Sequence, residues 1–417
     1  MKLLTSIRAV VIRALSATSE TPLKFSDFAF VAAVGMASMI VPFFPPDDLN
    51  RHLVAYQYGY NWRNLYLYSK VPSYDPWIGF DVLAGFLHRL FGYYAFVVVQ
   101  ELNFVLFSTA LYLNLRGVQN TLGLLTFAFY VYASYGRILL GRPAEFVTSL
   151  SFISLHLPFP FNLILGSLTA PFYWLFWMYL LPLCIFNRGY VFSVASGLVF
   201  WYLYGGAEYF SSILDLYFTL SNERIFVVSE NKSVLTAVLP NLVLFWPIFY
   251  RARFLFRPKD TFVFIYYLLL NQAKLFTALV LTSSRFLSGI TVKIPDFFLL
   301  VALGLMVSHP NSPLIVTPKE ASILKDHRVL VLEFGKPFFQ VTGVVYPLKV
   351  APAMEIGWTD RGIQELVKKA QETGRFDCEL FKKYEFDYVV ESSLKEYPAC
   401  LELVSPLGEL RVWKPKG

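Results

Sequence analysis

Long apolar stretches that carry few charges constrain this chain more than any other feature of its sequence. Hydrophobic residues make up 56% of the 417 residues and charged residues only 16%, whereas soluble domains carry about 25% charged residues. An apolar stretch of about 20 residues matches the thickness of a bilayer. The sequence therefore predicts an all-α polytopic membrane core over residues 1–309 and a small soluble α/β domain over residues 313–417.

The predicted core contains about eight to nine apolar segments, separated by polar loops. A large first loop covers residues 46–90, and a second loop covers residues 205–233. The segment at 146–160 is short and ends in HLPFPFN, which favours a re-entrant or interfacial helix over a full span. The segments lie at about 27–45, 92–114, 119–138, 146–160, 163–186, 190–205, 234–250, 261–283 and 295–308.

Two groups of basic residues orient these segments. One group precedes the first segment, and the other follows the segment at 234–250. Because cytoplasmic loops carry an excess of Lys and Arg, we expect an integral multi-pass protein of the cytoplasmic (inner) membrane, with its N-terminus in the cytoplasm and the first loop outside. The side of the tail stays open, because it depends on which short segments cross. The groups are Lys2, Arg8, Arg13 and Lys24, and Arg251, Arg253, Arg257 and Lys259.

The distribution of charge favours the lipid bilayer as a partner and argues against nucleic acid. Residues 310–417 contain 15 basic and 15 acidic side chains, so the net charge of +7 comes from residues 1–309. A basic balance in a membrane region indicates cytoplasmic loops and anionic head groups. In the tail, Cys378 and Cys400 lack a C-x-x-C spacing, which argues against metal binding; two separate free thiols are favoured over a disulfide.

The most informative short motif is the acidic pair of FFPPDDLNRHL, at the outer end of the first segment. Asp47 or Asp48 is a good N-cap for the following helix, but two adjacent residues cannot both cap it. A carboxylate at this boundary is suited to act as a general base on an acceptor hydroxyl. Alternatively, the pair could hold a divalent cation, Mg²⁺ or Mn²⁺, that neutralises a phosphate leaving group. We therefore assign Asp47 and Asp48 as the predicted catalytic or metal-binding residues.

The first loop contains further polar residues that we predict to contact a substrate. Arg51 stands four residues after Asp47, so an ion pair between them is the structural alternative. His52 is suited to carry a proton or bind a ligand, or else is polar surface. The many aromatic residues of this loop fit either an interfacial belt or stacking against a sugar. The remaining predicted substrate-binding residues of the loop are Asp75, Asp81 and His88.

Arginines near predicted outer helix ends suggest a phosphate site. Arg137 and Arg142 stand where the positive-inside trend disfavours cations, and a guanidinium can clamp a phosphate with two hydrogen bonds. Glu145 offers Arg142 an ordinary ion pair as the alternative. Arg224 and Arg285 are weaker candidates of the same kind, and Lys274 falls within the apolar segment 261–283.

Alternating patterns predict the secondary structure of the tail. Residues 328–334, 341–348, 385–392 and 407–414 have the composition of strands, and residues 361–375 have helical spacing.

Taken together, the chain resembles the GT-C superfamily of integral-membrane glycosyltransferases. The resemblance rests on PPDDLNRHL after the first span and on the order of spans and loops over about residues 1–300. It implies that Asp47 or Asp48 is a base or metal-linked carboxylate, that a polyprenyl-phosphate-linked sugar is the donor, and that the tail is extracytoplasmic. The W-W-D-Y-G signature of oligosaccharyltransferases is absent, which argues against protein N-glycosylation.

Two other classes of protein stay open. A lipid or polysaccharide transporter would use charges within its spans, where only Lys274 is a candidate, and inverted repeats are not visible in the sequence. A non-catalytic membrane protein of the same architecture would tolerate loss of Asp47 and Asp48.

Overall fold

The structure, a computed structural model, describes about two thirds of the chain. Predictions for Asp47, Asp48, Arg137, Arg224 and Lys274 fall outside the described residues, as do the segments at 234–250 and 295–308. The described residues are 25–38, 49–115, 141–222, 258–270, 276–285, 321–332, 347–353 and 358–416 without Ser393 and Glu409, together with Phe127, Tyr130, Val131, Ser134 and Ile138.

The described part of the chain is mostly helical, and its strands lie in the tail. Helices of three to five residues with tighter winding connect several of the α-helices. The α-helices are α1 (Phe25–Ser38), α2 (Leu49–Val54), α3 (Ile78–Phe91), α4 (Ala95–Leu115), α5 (Pro143–Ser154), α6 (Phe161–Leu168), α7 (Trp177–Leu180), α8 (Tyr190–Asn222), α9 (Pro258–Leu270), α10 (Phe276–Arg285), α11 (Arg361–Thr373) and α12 (Cys378–Phe381).

The chain divides into two compact units. The first unit comprises Met1–Phe44, Val97–Leu203 and Ser229–Asn311. The second unit comprises Pro45–Phe96, Tyr204–Val228 and Ser312–Gly417, so the first loop and the tail fold as one body.

Two described helices are long and apolar enough to cross a membrane. They are Ala95–Leu115 and the Tyr190–Leu214 part of α8. The expectation of eight to nine such spans is wrong for the described part of the chain. The helix predicted at 190–205 is confirmed, but it continues to Asn222 after a break at Gly206, whose φ of 60° is left-handed.

The predicted span at 163–186 is not one helix. It consists of α6, a short turn at Ala170–Phe172, α7 and a second turn at Leu181–Ile185. Pro171 and Pro182 interrupt the ladder of backbone hydrogen bonds, and Tyr173 is fully extended. The predicted span at 261–283 likewise contains two helices, α9 and α10. The predicted short helix at 146–160 is α5, which begins at Pro143 and ends at Ser154.

The tail forms a five-stranded mixed sheet with the order β2-β1-β3-β5-β4. Its strands are β1 (Arg328–Val331), β2 (Lys349–Ala351), β3 (Tyr388–Glu391), β4 (Leu401–Leu407) and β5 (Leu410–Pro415). Strands β2, β1 and β3 are parallel to one another. Strand β5 is antiparallel to both of its neighbours, β3 and β4. This arrangement confirms a small α/β tail; of the predicted strand at 341–348, residues 341–346 lie outside the described part.

Helix α11 covers the sheet with an apolar stripe. Asp360 caps its start by accepting a hydrogen bond from the Gly362 amide, and Gly374 ends it in a left-handed conformation. Ile363, Leu366, Val367 and Ala370 are fully buried against β1 and β3. A disulfide joins Cys378 to Cys400, so the expectation of two free thiols is wrong; their distance in sequence concealed that the fold brings them together.

Candidate functional site

Four of the predicted substrate-binding residues meet inside the second unit. Arg51 and His52 lie on α2, whose six residues are all buried, and Asp81 lies in the first turn of α3. Asp75 lies in the turn that leads into α3. Its side chain stabilises this turn by accepting a hydrogen bond from the Trp77 amide. We call Arg51, His52, Asp75 and Asp81 the buried polar cluster.

A buried hydrogen bond joins the two helices of this cluster. His52 Nδ1 contacts Asp81 Oδ1 in a short hydrogen bond, and neither side chain has any solvent exposure. The imidazole ring also meets Trp77 and Phe80 edge to face, with ring centroids 5.5 Å and 5.2 Å away. A carboxylate in this position fixes the orientation of the imidazole.

Asp75 is the second carboxyl group of the cluster. Trp62 Nε1 donates a hydrogen bond to Asp75 Oδ1 at 3.1 Å, and the Trp77 amide donates to the same atom at 2.9 Å. Complete burial raises the pKa of Asp75, while hydrogen bonds with Asp81 and the tryptophans and the charge of Arg51 oppose this rise. Burial away from water therefore favours the protonated, neutral form of Asp75.

Arg51 supplies the positive charge beside these carboxyl groups. Its guanidinium carbon lies 4.5 Å from the ring centroid of Trp77 and 5.7 Å from that of Trp62. Arginine stacks on aromatic faces in this way when it is removed from water. The two tryptophans, which the sequence presents only as part of an aromatic loop, therefore contact both Arg51 and the carboxyl group of Asp75.

His88 lies two turns beyond Asp81 on α3 and contacts Tyr56. The distance from the Tyr56 hydroxyl to His88 Nδ1 is 3.2 Å. Partial burial lowers the pKa of His88, which favours a neutral imidazole at neutral pH. The structure therefore places His88 beside a tyrosine and not within the buried polar cluster.

The raised pKa of Asp75 predicts how the stability of the fold depends on pH. Because the folded state holds this proton more tightly, Asp75 contributes stability that is fully present below its unfolded pKa of about 3.9. That contribution is lost as the pH rises through the raised folded pKa. An Asp75→Asn variant keeps the acceptor for Trp62 and Trp77 but cannot ionise.

We therefore expect Asp75→Asn to gain stability relative to the wild type between pH 4 and pH 8. Thermal unfolding of both proteins across this range measures the difference, and titrating groups that do not interact with Asp75 cancel in the comparison. A difference that stays constant with pH would show that Asp75 titrates alike in the folded and unfolded chains.

The first unit holds the other described candidates. Arg142 directly precedes α5 and is mostly buried. Glu145, in the first turn of α5, is buried as well. Arg285 ends α10, and its Nε lies 2.6 Å from Asp260 Oδ1 in a buried ion pair. The structure thus brings four candidates together in the buried polar cluster and places Arg142 and Arg285 in a separate unit.

Metal binding by the acidic pair stays a prediction. Among the described residues, no group of three or more His, Cys, Asp or Glu side chains is arranged to hold a metal ion. Asp47 and Asp48 themselves lie outside the described residues, so we derive no step through a metal ion.

Sequence reasoning missed an acidic residue that ties α8 to the first loop. Glu208 Oε1 accepts hydrogen bonds from Arg63 Nη2 at 3.0 Å and from the Ser73 amide at 3.1 Å. The Ser73 hydroxyl donates to the other carboxylate oxygen. Glu208 follows the break at Gly206. Its position just after the apolar segment 190–205 was the signal in the sequence that could have pointed to this contact.

Comparison of the chain with protein-family models, with curated proteins and with solved structures gives no match.

Proposed function

We propose that the chain is a membrane glycosyltransferase that works at the extracytoplasmic face of the cytoplasmic membrane. It would move a sugar from a polyprenyl-phosphate-linked donor to a lipid, glycan or protein acceptor. The proposal includes the multi-pass topology with a cytoplasmic N-terminus. Two apolar helices long enough to cross a bilayer support insertion in a membrane.

The buried polar cluster is the observation that carries the proposal. It begins three residues after Asp48, and α2, which starts at Leu49, has no exposed residue. Helix α2, which the His52–Asp81 hydrogen bond anchors, directly follows the acidic pair in the sequence, so a rigid α2 would help to position that pair. Catalytic groups need such support, because small displacements reduce the rate strongly.

This arrangement divides the roles between two sets of carboxyl groups. Asp75 and Asp81 have no solvent exposure, which suits residues that position others. Asp47 or Asp48 would accept the proton of an acceptor hydroxyl. The hydroxyl oxygen then bonds C1 of the sugar while the bond from C1 to the phosphate oxygen breaks, and polyprenyl phosphate leaves.

A second candidate function, transport of a lipid or polysaccharide, has one observation in its favour. The stretch at 161–186 is a broken helix, and transporters build substrate sites from interrupted helices near the bilayer midplane. Transfer and transport differ in whether the bond between sugar and phosphate survives.

The fate of a labelled donor separates these functions. The protein is reconstituted in liposomes with a polyprenyl-phosphate donor that carries a radiolabelled sugar, and lipid and acceptor fractions are counted. A transferase moves the label to the acceptor and releases one polyprenyl phosphate for each sugar. Label that changes leaflet on intact lipid would support transport and overturn the proposal.

Arg142 is the described residue that we propose for the leaving phosphate. A guanidinium there would act mainly on the transition state, in which charge grows on the phosphate. We expect Arg142→Ala to lower turnover about 30- to 1000-fold, which corresponds to about 2–4 kcal/mol. Arg142→Lys should recover only part, since an ammonium lacks the planar fork.

Arg188→Ala is a suitable control, because Arg188 is an exposed arginine of the same unit. Turnover is measured for all three variants with the labelled donor. Normal turnover in both Arg142 variants would make Arg142 a structural residue beside Glu145.

A further inference from the structure

A second set of polar side chains lies within the first unit, and it joins four parts of the chain. Asn114 Oδ1 accepts from His156 Nε2 at 3.0 Å and from Arg285 Nη1 at 3.5 Å, and Asp260 pairs with Arg285. Asn114 Nδ2 donates to the Leu281 carbonyl, which fixes the amide and makes His156 the donor. We call Asn114, His156, Asp260 and Arg285 the end cluster.

The ion pair in this cluster shows that the predicted span at 261–283 turns back. Asp260 and Arg285 are 25 positions apart, which a straight helix would separate by roughly 37 Å. Their side-chain atoms lie 2.6 Å apart. Helices α9 and α10 therefore form a hairpin whose two ends lie together.

The broken stretch at 161–188 returns to its starting point in the same way. Ser193 Oγ, in the first turn of α8, donates to the Leu163 carbonyl at 3.0 Å. Trp201 Nε1 donates to the Ala170 carbonyl at 3.0 Å. The Tyr267 hydroxyl of α9 donates to the Tyr179 carbonyl at 2.9 Å. Irregular backbone within a bilayer persists only where protein groups satisfy it, and these three donors do so.

Both hairpins open toward the C-terminal end of α4. Asn114 follows Ala95 by 19 residues, or roughly 28 Å of helix, close to the thickness of the hydrocarbon core. His156 contacts Asn114, and the Ser154 hydroxyl lies 2.7 Å from the hydroxyl of Tyr190, the first residue of α8. The end cluster and the open ends of both hairpins therefore share one end of the first unit.

Within the second unit, the first loop and the tail are joined by backbone and side-chain contacts. Tyr66 forms a bridge with Val350, and Ser69 forms one with Thr359. Arg328 Nη2 also donates to the Tyr68 hydroxyl at 2.7 Å. The loop and the tail must therefore lie on the same face of a membrane, and an even number of crossings must separate them.

We propose that residues 161–188 and 258–285 are re-entrant hairpins that enter from the cytoplasmic face, opposite the side on which the resemblance places the tail. The Cys378–Cys400 disulfide fits this assignment, because disulfides persist in oxidising compartments. The inference rests on the proposed membrane insertion and not on the proposed chemistry.

Labelling of single cysteines with a membrane-impermeant maleimide tests the assignment in a Cys184→Ser background. Lys70→Cys in the first loop and Glu402→Cys in the tail report on the second unit, because both positions are exposed. Lys259→Cys lies at the start of the second hairpin, and Ser288→Cys follows its end. In spheroplasts we expect labelling of the first two variants only, and labelling of the last two after permeabilisation.

Each alternative gives a distinct result. Opposite accessibility of positions 259 and 288 would show that 258–285 crosses, and opposite accessibility of positions 70 and 402 would separate the loop from the tail. Labelling of all four variants in intact spheroplasts would place the ends of the second hairpin outside, and labelling of none of them would place the first loop and the tail inside; either result would overturn the assignment. A chain that is inactive as a transferase would still give the expected pattern.

Discussion

An Asp81→Ala variant is expected to lose about 3–5 kcal/mol of folding free energy, the usual cost of removing one partner from a buried charged pair. The substitution leaves His52 fully buried without its carboxylate, and it removes the hydrogen bond between Asp81 and Asp75. Both remaining groups would have to change protonation state or bind water inside a packed aromatic environment. The second unit should therefore unfold at lower denaturant concentration.

Tryptophan fluorescence is a direct probe of this transition, because Trp62 and Trp77 contact the cluster. Glu385→Ala is the matched control, since it removes a carboxylate that pairs with Arg328 but is 83% exposed; it should cost less than about 1 kcal/mol. A double His52→Leu, Asp81→Leu variant should recover part of the loss, because it leaves no isolated imidazole. Equal stability of Asp81→Ala and Glu385→Ala would contradict the account of the cluster.

Sequence patterns predicted the tail better than the membrane core. The helical spacing of residues 361–375 and the β-rich stretches around 328, 388 and 410 correspond to α11, β1, β3 and β5. Strand β4 was not predicted, and it contains Pro406, a residue that disfavours strands. The proline is tolerated at the edge of the sheet, where one side of the strand has no neighbour to pair with.

Hydropathy alone could not distinguish a membrane span from a hairpin. A membrane span and a hairpin of the same length both require about 20 apolar residues. Hydropathy does not show whether the chain crosses the membrane or turns back. Pro171 and Pro182 were the available signals for the broken stretch at 161–186. The end cluster was equally hidden, because Asn114 and Asp260 become partners of Arg285 only through the packing of separate helices.

The candidate site shows the same division between local and tertiary information. The sequence showed which residues of the first loop carry polar chemistry, and the structure gathers Arg51, His52, Asp75 and Asp81 as neighbours. Their complete burial could not be predicted, because it follows from the packing of α2 against α3 and from two tryptophans. Burial favours a positioning role for the two carboxyl groups over direct contact with a substrate.

Transfer of a radiolabelled sugar by Asp48→Asn and Asp47→Asn is the measurement that tests the central claim most directly. Asparagine is nearly isosteric with aspartate but cannot accept the proton of an acceptor hydroxyl. Loss of a general base lowers the rate about 10²- to 10⁴-fold. We therefore expect a loss of this size in Asp48→Asn, with tryptophan fluorescence unfolding unchanged from the wild type. Wild-type transfer rates in both single variants would contradict the assignment of the acidic pair as the catalytic base.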